Sequence, residues 1–224
     1  MRTLCCALLG LAGLVTPAAA CPRMDPRDEP VTQDGATVYD TGGVIFTLQY
    51  AFDDRRPVLK LDAGGPAVAV APMLSVVPPP PGAAALELRD PSGKAERHFT
   101  VAAAPAALAA PAVTRVTSTV KTLKDLERHS SAEPASTTEI KLAAAPPDDA
   151  YALIAYTVTG KATTASSWVA TVKGQATYTF QTGGKACYGS TVSPTWQGET
   201  LRFAWLDRGG RVSAMSKPIK IAKP

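Results

Sequence analysis

The chain has 224 residues, 46% of them hydrophobic, 19% charged and 6% aromatic, with a formal net charge of +4. That is too apolar for a disordered tail and too polar for a multi-span membrane protein, and the length suits one or two domains. No catalytic constellation stands out, so the residues say more about destination and fold than about activity.

Residues 1–20 read as a signal peptide. Arg2 is a one-charge n-region, Leu4 to Val15 an apolar h-region, and Pro17 with Ala18-Ala19-Ala20 a small-residue cleavage site. Cys21 follows directly, and Ala18-Ala19-Ala20-Cys21 resembles the lipobox of bacterial lipoproteins, with Ala18 where that family usually has Leu. Two readings of Cys21 stay open. In the favoured one it is lipidated and holds the chain to a membrane. In the other it is the first mature residue and pairs with Cys187, the only other cysteine left after cleavage. Residues 21–30, proline-rich and charged, are expected to be a tether.

Residues 31–101 are expected to be one small β-sandwich. Val44, Phe46, Leu48 and Tyr50 alternate with Ile45, Thr47 and Gln49, and short alternating runs recur at Leu59–Leu61, Val68–Val70, Leu74–Val77, Leu86–Leu88 and Phe99–Val101. Gly and Pro punctuate them, which is the pattern of antiparallel, half-buried strands. Residues 102–112, alanine-rich but interrupted by Pro105 and Pro111, are expected to be an inter-domain linker.

Residues 113–224 carry a second series, with strands expected at 113–118, 138–142, 151–158, 166–172, 175–181, 199–206 and 215–222. Residues 151–158 are almost continuously apolar, which suits a central strand covered on both faces. Val120 to His129 breaks the pattern and is expected to form a short surface helix. Seven strands in about 110 residues is the count of an immunoglobulin-like or fibronectin-type sandwich.

Two stretches resemble the tandem Ig-like and fibronectin III-like β-sandwich proteins of bacterial envelopes. One runs from Asp34-Gly35-Ala36-Thr37 into Gly43 to Leu48, with the later Pro81-Gly82 turn before Leu86-Glu87-Leu88. The other is Gly198 to Asp207, followed by Gly210-Arg211-Val212-Ser213 and Ser216. The resemblance implies an all-β fold of two consecutive sandwiches and no particular activity. Asn is absent from the whole chain, which removes any N-glycosylation sequon and fits a GC-rich bacterial genome.

Candidate chemistry is sparse. His98 and His129 lie in different expected domains without metal-ligand spacing. Ser118-Thr119-Val120-Lys121 matches a Ser-x-x-Lys element in the wrong context, on an expected strand. Asp53-Asp54 and Asp148-Asp149 lack the spaced ligands of a calcium loop and read as solvated charge. Lys217, Lys220 and Lys223 alternate with apolar residues as a solvated strand face does, so no nucleic-acid partner is expected, and neither is a cofactor or metal. Trp168 and Trp205 sit in expected strands. Tyr188 and Trp196 share a long loop with Cys187 and are the candidate ligand contacts, with a Trp196 folded back onto the sandwich as the plainer alternative.

The resulting expectation is a non-catalytic exported envelope protein, lipid-anchored at Cys21, that binds an envelope protein or glycan or serves as a structural module. An envelope hydrolase built from scattered carboxylates and an accessory subunit of an envelope complex are the alternatives.

Overall fold

The computed structural model describes residues 25–51, 59–120, 136–182 and 196–222. All regular structure among them is β-strand, arranged in four sheets. The expected helix at 120–129 lies almost wholly outside the described residues.

The first sandwich has two four-stranded sheets. Its outer sheet runs β2 (Thr37–Tyr39), β8 (Ala95–Ala102), β7 (Ala85–Arg89), β4 (Lys60–Leu61). Its inner sheet runs β1 (Asp25–Pro30), β3 (Val44–Ala51), β6 (Leu74–Val77), β5 (Val68–Ala71). The chain crosses between sheets right after its first strand: β1 pairs antiparallel with β3, whereas β2 pairs parallel with β8. This is an immunoglobulin-like arrangement.

The second sandwich has a three-stranded outer sheet of β13 (Thr177–Thr182), β10 (Ser136–Leu142) and β9 (Val113–Val120). Its inner sheet runs β12 (Ala162–Ala170), β11 (Ala150–Thr159), β14 (Thr200–Asp207), β15 (Ile219–Lys220). Three strands facing four, with this order, make a fibronectin III-like sandwich.

The two sandwiches stack face to face, so the described residues form four layers and three cores. Val44 and Phe46 of β3 point into the first core with Leu86, Leu88 and Phe99. Ile45, on the opposite face of the same strand, joins Leu74 and Val76 against Ile154, Tyr156 and Leu206 of the second sandwich. Leu153 and Ala155 of β11, with Phe203 and Trp205 of β14, turn the other way onto Ile140, Tyr178 and Phe180. The period of two places successive side chains of β3, β11 and β14 in different cores. Strand β3, expected to be half-buried, is therefore covered on both sides, and its Thr47 is buried as well. The cause is the neighbouring sandwich, which local alternation cannot register.

Two further expectations are corrected. Residues 25–30 are not tether but strand β1, in register with β3 from Asp25↔Ala51 to Pro30↔Phe46. Val31 N–H donates to Ile45 O at 2.8 Å. Alternation then points the even-numbered positions of β1 outward, where Pro26 and Pro30 have no N–H to lose. The prolines also leave that edge a poor template for another strand. At the other end of the chain, only Ile219–Lys220 of the expected strand 215–222 is regular. Residues 211–218 run beside β14 through serine hydroxyls instead. Ser213 N–H donates to Trp205 O (2.8 Å) while its Oγ accepts from Trp205 N–H (2.9 Å), and Ser216 repeats this with Phe203 (2.7 and 2.9 Å). Three residues of this segment thereby match two of β14.

Candidate functional site at the junction of the sandwiches

The junction is built where the turn at Gly42-Gly43 meets the turn at Gly209-Gly210. Backbone packing there is too close for side chains. Gly209 O accepts from Gly43 N–H at 2.8 Å and from Tyr39 N–H at 3.3 Å. A Cβ on Gly42 would collide with the Gly209 carbonyl, and one on Gly209 would lie 2.7 Å from Tyr39 Cγ and nearer still to other ring atoms. Gly210 combines a φ of 87° with a close approach to the Gly43 backbone.

Charged side chains close the gap around these glycines. Arg211 Nε and Nη2 lie 2.9 and 2.8 Å from Asp207 Oδ2, and the side chains are 11% and 2% exposed. Arg211 N–H also donates to Asp207 Oδ1 at 2.8 Å. The guanidinium stacks over the Tyr39 ring of the first sandwich, 4.4 Å from its centroid, and Nη1 donates to Pro105 O. Tyr39 OH donates to Asp149 Oδ2 at 3.1 Å, from the second sandwich. Burial first, and then the Asp149 carboxylate, raises the Tyr39 pKa above its usual value. Burial also raises Asp207, more than the Arg211 contacts lower it. Trp168 adds a third bridge, donating Nε1–H to Pro72 O at 3.0 Å. The 103–112 segment is docked as well: Asp40 Oδ1 accepts from Ala104 N–H at 3.1 Å, and Pro111 is buried.

Beside this lock lie two hollows that share Arg208 in their lining, as two lobes around it. One, of about 190 Å³, is lined by Thr32, Gln33, Ile45 and Tyr151 among others, and therefore by both sandwiches. The other, of about 340 Å³, is lined by Pro146, Pro147, Thr171 and the Lys173–Asp148 pair among others, so with Arg208 it holds two cations and one carboxylate. The Tyr151 ring is half-buried and backed by Trp168, with centroids 6.3 Å apart.

Cys21, Cys187 and Tyr188 lie outside the described residues, as do Asp53, Asp54 and His129. Trp196 is placed, and the contact role expected of it is corrected. It is only 3% exposed, sits in the core of the second sandwich, and packs on Phe180 with ring centroids 5.3 Å apart. A large apolar ring at the mouth of a sandwich lowers free energy most by folding inward. His98 is an exposed residue of β8, with Nδ1 3.7 Å from Asp34 and Nε2 3.6 Å from Glu87. A hydrogen bond from the His98 backbone N–H is the main reason the Asp34 carboxyl is held below its usual pKa. Ser118 lies on β9 and accepts from Thr138 Oγ1 at 3.1 Å. The Asp148 carboxylate meets Lys173 Nζ, at 3.4 Å between exposed side chains, and its carbonyl faces Arg208 Nε, whereas Asp149 has the junction role described above. Among the described residues no group of three His, Cys, Asp or Glu could hold a metal ion.

Sequence reasoning missed Tyr39, Tyr151, Arg208 and Arg211. Asp207-Arg208-Gly209-Gly210-Arg211 was legible as a turn, and two adjacent glycines between two arginines were the available signal that another backbone comes close.

No protein-family model matches the chain. No curated protein matches it either. Among solved structures, the crystal structure of chicken CNTN1 FN1-FN3 domains aligns over 90% of this chain and 69% of that one, at 10% identity and a TM-score of 0.33. A likeness of that size carries no argument, and the two sandwich types rest on strand order.

Proposed function

We propose that the chain is an exported, lipid-anchored, non-catalytic module of a bacterial cell envelope that holds or binds an envelope protein or glycan. The observation that supports it best is the fused pair of sandwiches. Shared core residues and the Tyr39–Arg211–Asp149 bridge fix one sandwich against the other, as a rigid spacer or presenting scaffold requires. The signal peptide and Cys21 supply the address. With Cys21 lipidated, only residues 22–24 separate the anchor from β1, a reach of about 14 Å at full extension. The first sandwich then stands close to the bilayer.

Metabolic palmitate labelling tests the reading. The wild type takes up label in the membrane fraction, and Cys21→Ala does not. An unlabelled wild type recovered from the cytoplasm overturns it.

A further inference from the structure

We propose that the two-lobed crevice around Arg208 is a binding site for a carboxylated sugar chain. The proposal rests on the reading of the protein as a binding module and not on its anchoring.

The cationic centre comes first. Arg208 is exposed, and its backbone N–H is fixed by Asp149 O at 2.8 Å. Its Nε reaches only the Asp148 carbonyl, at 3.5 Å. Among the described residues no carboxylate lies within ion-pair distance of it. Two other arginines are engaged: Arg211 with Asp207, and Arg89 with Asp62 and Glu87. The guanidinium fork of Arg208 is therefore free for bidentate contact with a carboxylate. Lys173 stands across the larger lobe. Its pair with Asp148 joins side chains 89% and 85% exposed, so the ammonium can turn to an anion at little cost.

The walls decide the rest of the ligand. Tyr151 and Pro146-Pro147 give flat, stiff apolar surface, and the exposed Gln33 gives a neutral donor and acceptor at the rim. Apolar faces with a few placed polar groups suit a pyranose ring and its hydroxyls. An extended peptide is less well served. The crevice is bounded by the turns at 31–36, 146–149, 171–173 and 208–210, so no open sheet edge offers a ladder of backbone hydrogen bonds. Position favours presentation too. The crevice opens where β1 ends, about 20 Å along that strand from the residues that follow Cys21.

Isothermal titration calorimetry on the full-length mature protein tests the assignment, with an oligogalacturonate of four to six sugars, a neutral cello-oligosaccharide of equal length, and a hexaglutamate peptide. The oligogalacturonate is expected to bind, the cello-oligosaccharide at least tenfold more weakly. Arg208→Ala, which keeps the backbone bond to Asp149, is expected to weaken oligogalacturonate binding about tenfold or more, and Lys173→Ala a few-fold. Three results overturn the proposal: no oligogalacturonate binding, equal binding by Arg208→Ala, or hexaglutamate binding as tightly as the sugar. Any of these leaves the palmitate result, and with it the anchoring, standing.

Discussion

Gly209→Ala is the sharpest test of the junction, because nothing about the residue's own backbone conformation forbids alanine. Its φ lies outside the left-handed region, unlike that of Gly210. The cost therefore comes first from the contact with Tyr39, whose ring supplies the three nearest atoms. The new methyl group occupies space that the ring fills, with Cγ 2.7 Å away. The ring cannot step aside without losing its bond to Asp149 and its stacking under Arg211. A hydrogen bond to a charged group is worth about 1.5–3 kcal/mol and an exposed cation–π contact about 0.5–1. Tyr39 is half-buried, so the lower part of the combined range applies, and Gly209→Ala is expected to cost about 2–3 kcal/mol. That is a large fraction of the ~5–15 kcal/mol that holds a typical domain folded.

Urea unfolding followed by circular dichroism and tryptophan fluorescence measures this. All three tryptophans lie in the second sandwich, so fluorescence reports chiefly that half, with Trp168 also sensing its contact with Pro72 of the first. The wild type is expected to show coincident transitions, and Gly209→Ala to separate them. The cycle with Tyr39→Ala isolates the cause, because the three atoms nearest the new methyl group all belong to the Tyr39 ring, and Gly209→Ala becomes much less costly once they are gone. A cost below about 0.5 kcal/mol, or one that persists undiminished in the Tyr39→Ala background, refutes the argument.

Other perturbations address other parts of the molecule. Ser213→Ala leaves the buried Trp205 N–H without its acceptor and is expected to cost about 1–3 kcal/mol in denaturant unfolding. Met73 holds a φ of 60° at the β5–β6 turn and is 47% exposed. Met73→Gly relieves about 1–2 kcal/mol of strain against about 0.5–1 of added chain entropy, so Tm should rise by a degree or two. The pKa values of Tyr39, Tyr151 and Tyr156 are all raised, with burial as the leading cause. A raised folded pKa means that the unfolded chain gives up its proton first. The contribution is thus complete below about pH 10 and is lost as pH climbs through the raised values. Tm should fall steeply above pH 10, and less steeply in Tyr156→Phe.

The strands were legible where a single neighbour decides burial. Leu86 and Leu88, or Tyr178 and Phe180, alternate cleanly because one face of their strand meets a core and the other water. Residues 151–158 announced a doubly covered strand through their unbroken apolar run. Its partner across the junction did not, because Thr47 and Gln49 break the run in β3 while Ile45 alone carries the contact to the second sandwich. Strand β1 was hidden by Pro26 and Pro30, which mark an edge as readily as a tether. The junction itself was illegible for a different reason. Its geometry depends on Gly42, Gly43, Gly209 and Gly210, more than 160 positions apart in pairs, and a glycine in sequence shows that space is short without showing what fills it.

The layer order also limits where recognition can occur. Ile45, Leu74 and Val76 on one side, and Ile154 and Leu206 on the other, close the two inner sheets against each other. Neither can offer a face to a partner without prising the sandwiches apart. The outer sheet of the first sandwich carries Glu87, Arg89 and His98 in mutual contact with Asp34 and Asp62, where exposed pairs are worth little and are screened by salt. Trp196 and Trp205 are spent on the second core, and Trp168 on the bridge to Pro72. An aromatic ring and an unpaired cation therefore coincide on the described surface at the end of the stack, at Tyr151 and Arg208. The lock that sets the two sandwiches also sets the width of the smaller lobe between them. Gly209→Ala should accordingly weaken oligogalacturonate binding along with stability, although Gly209 itself lines neither lobe.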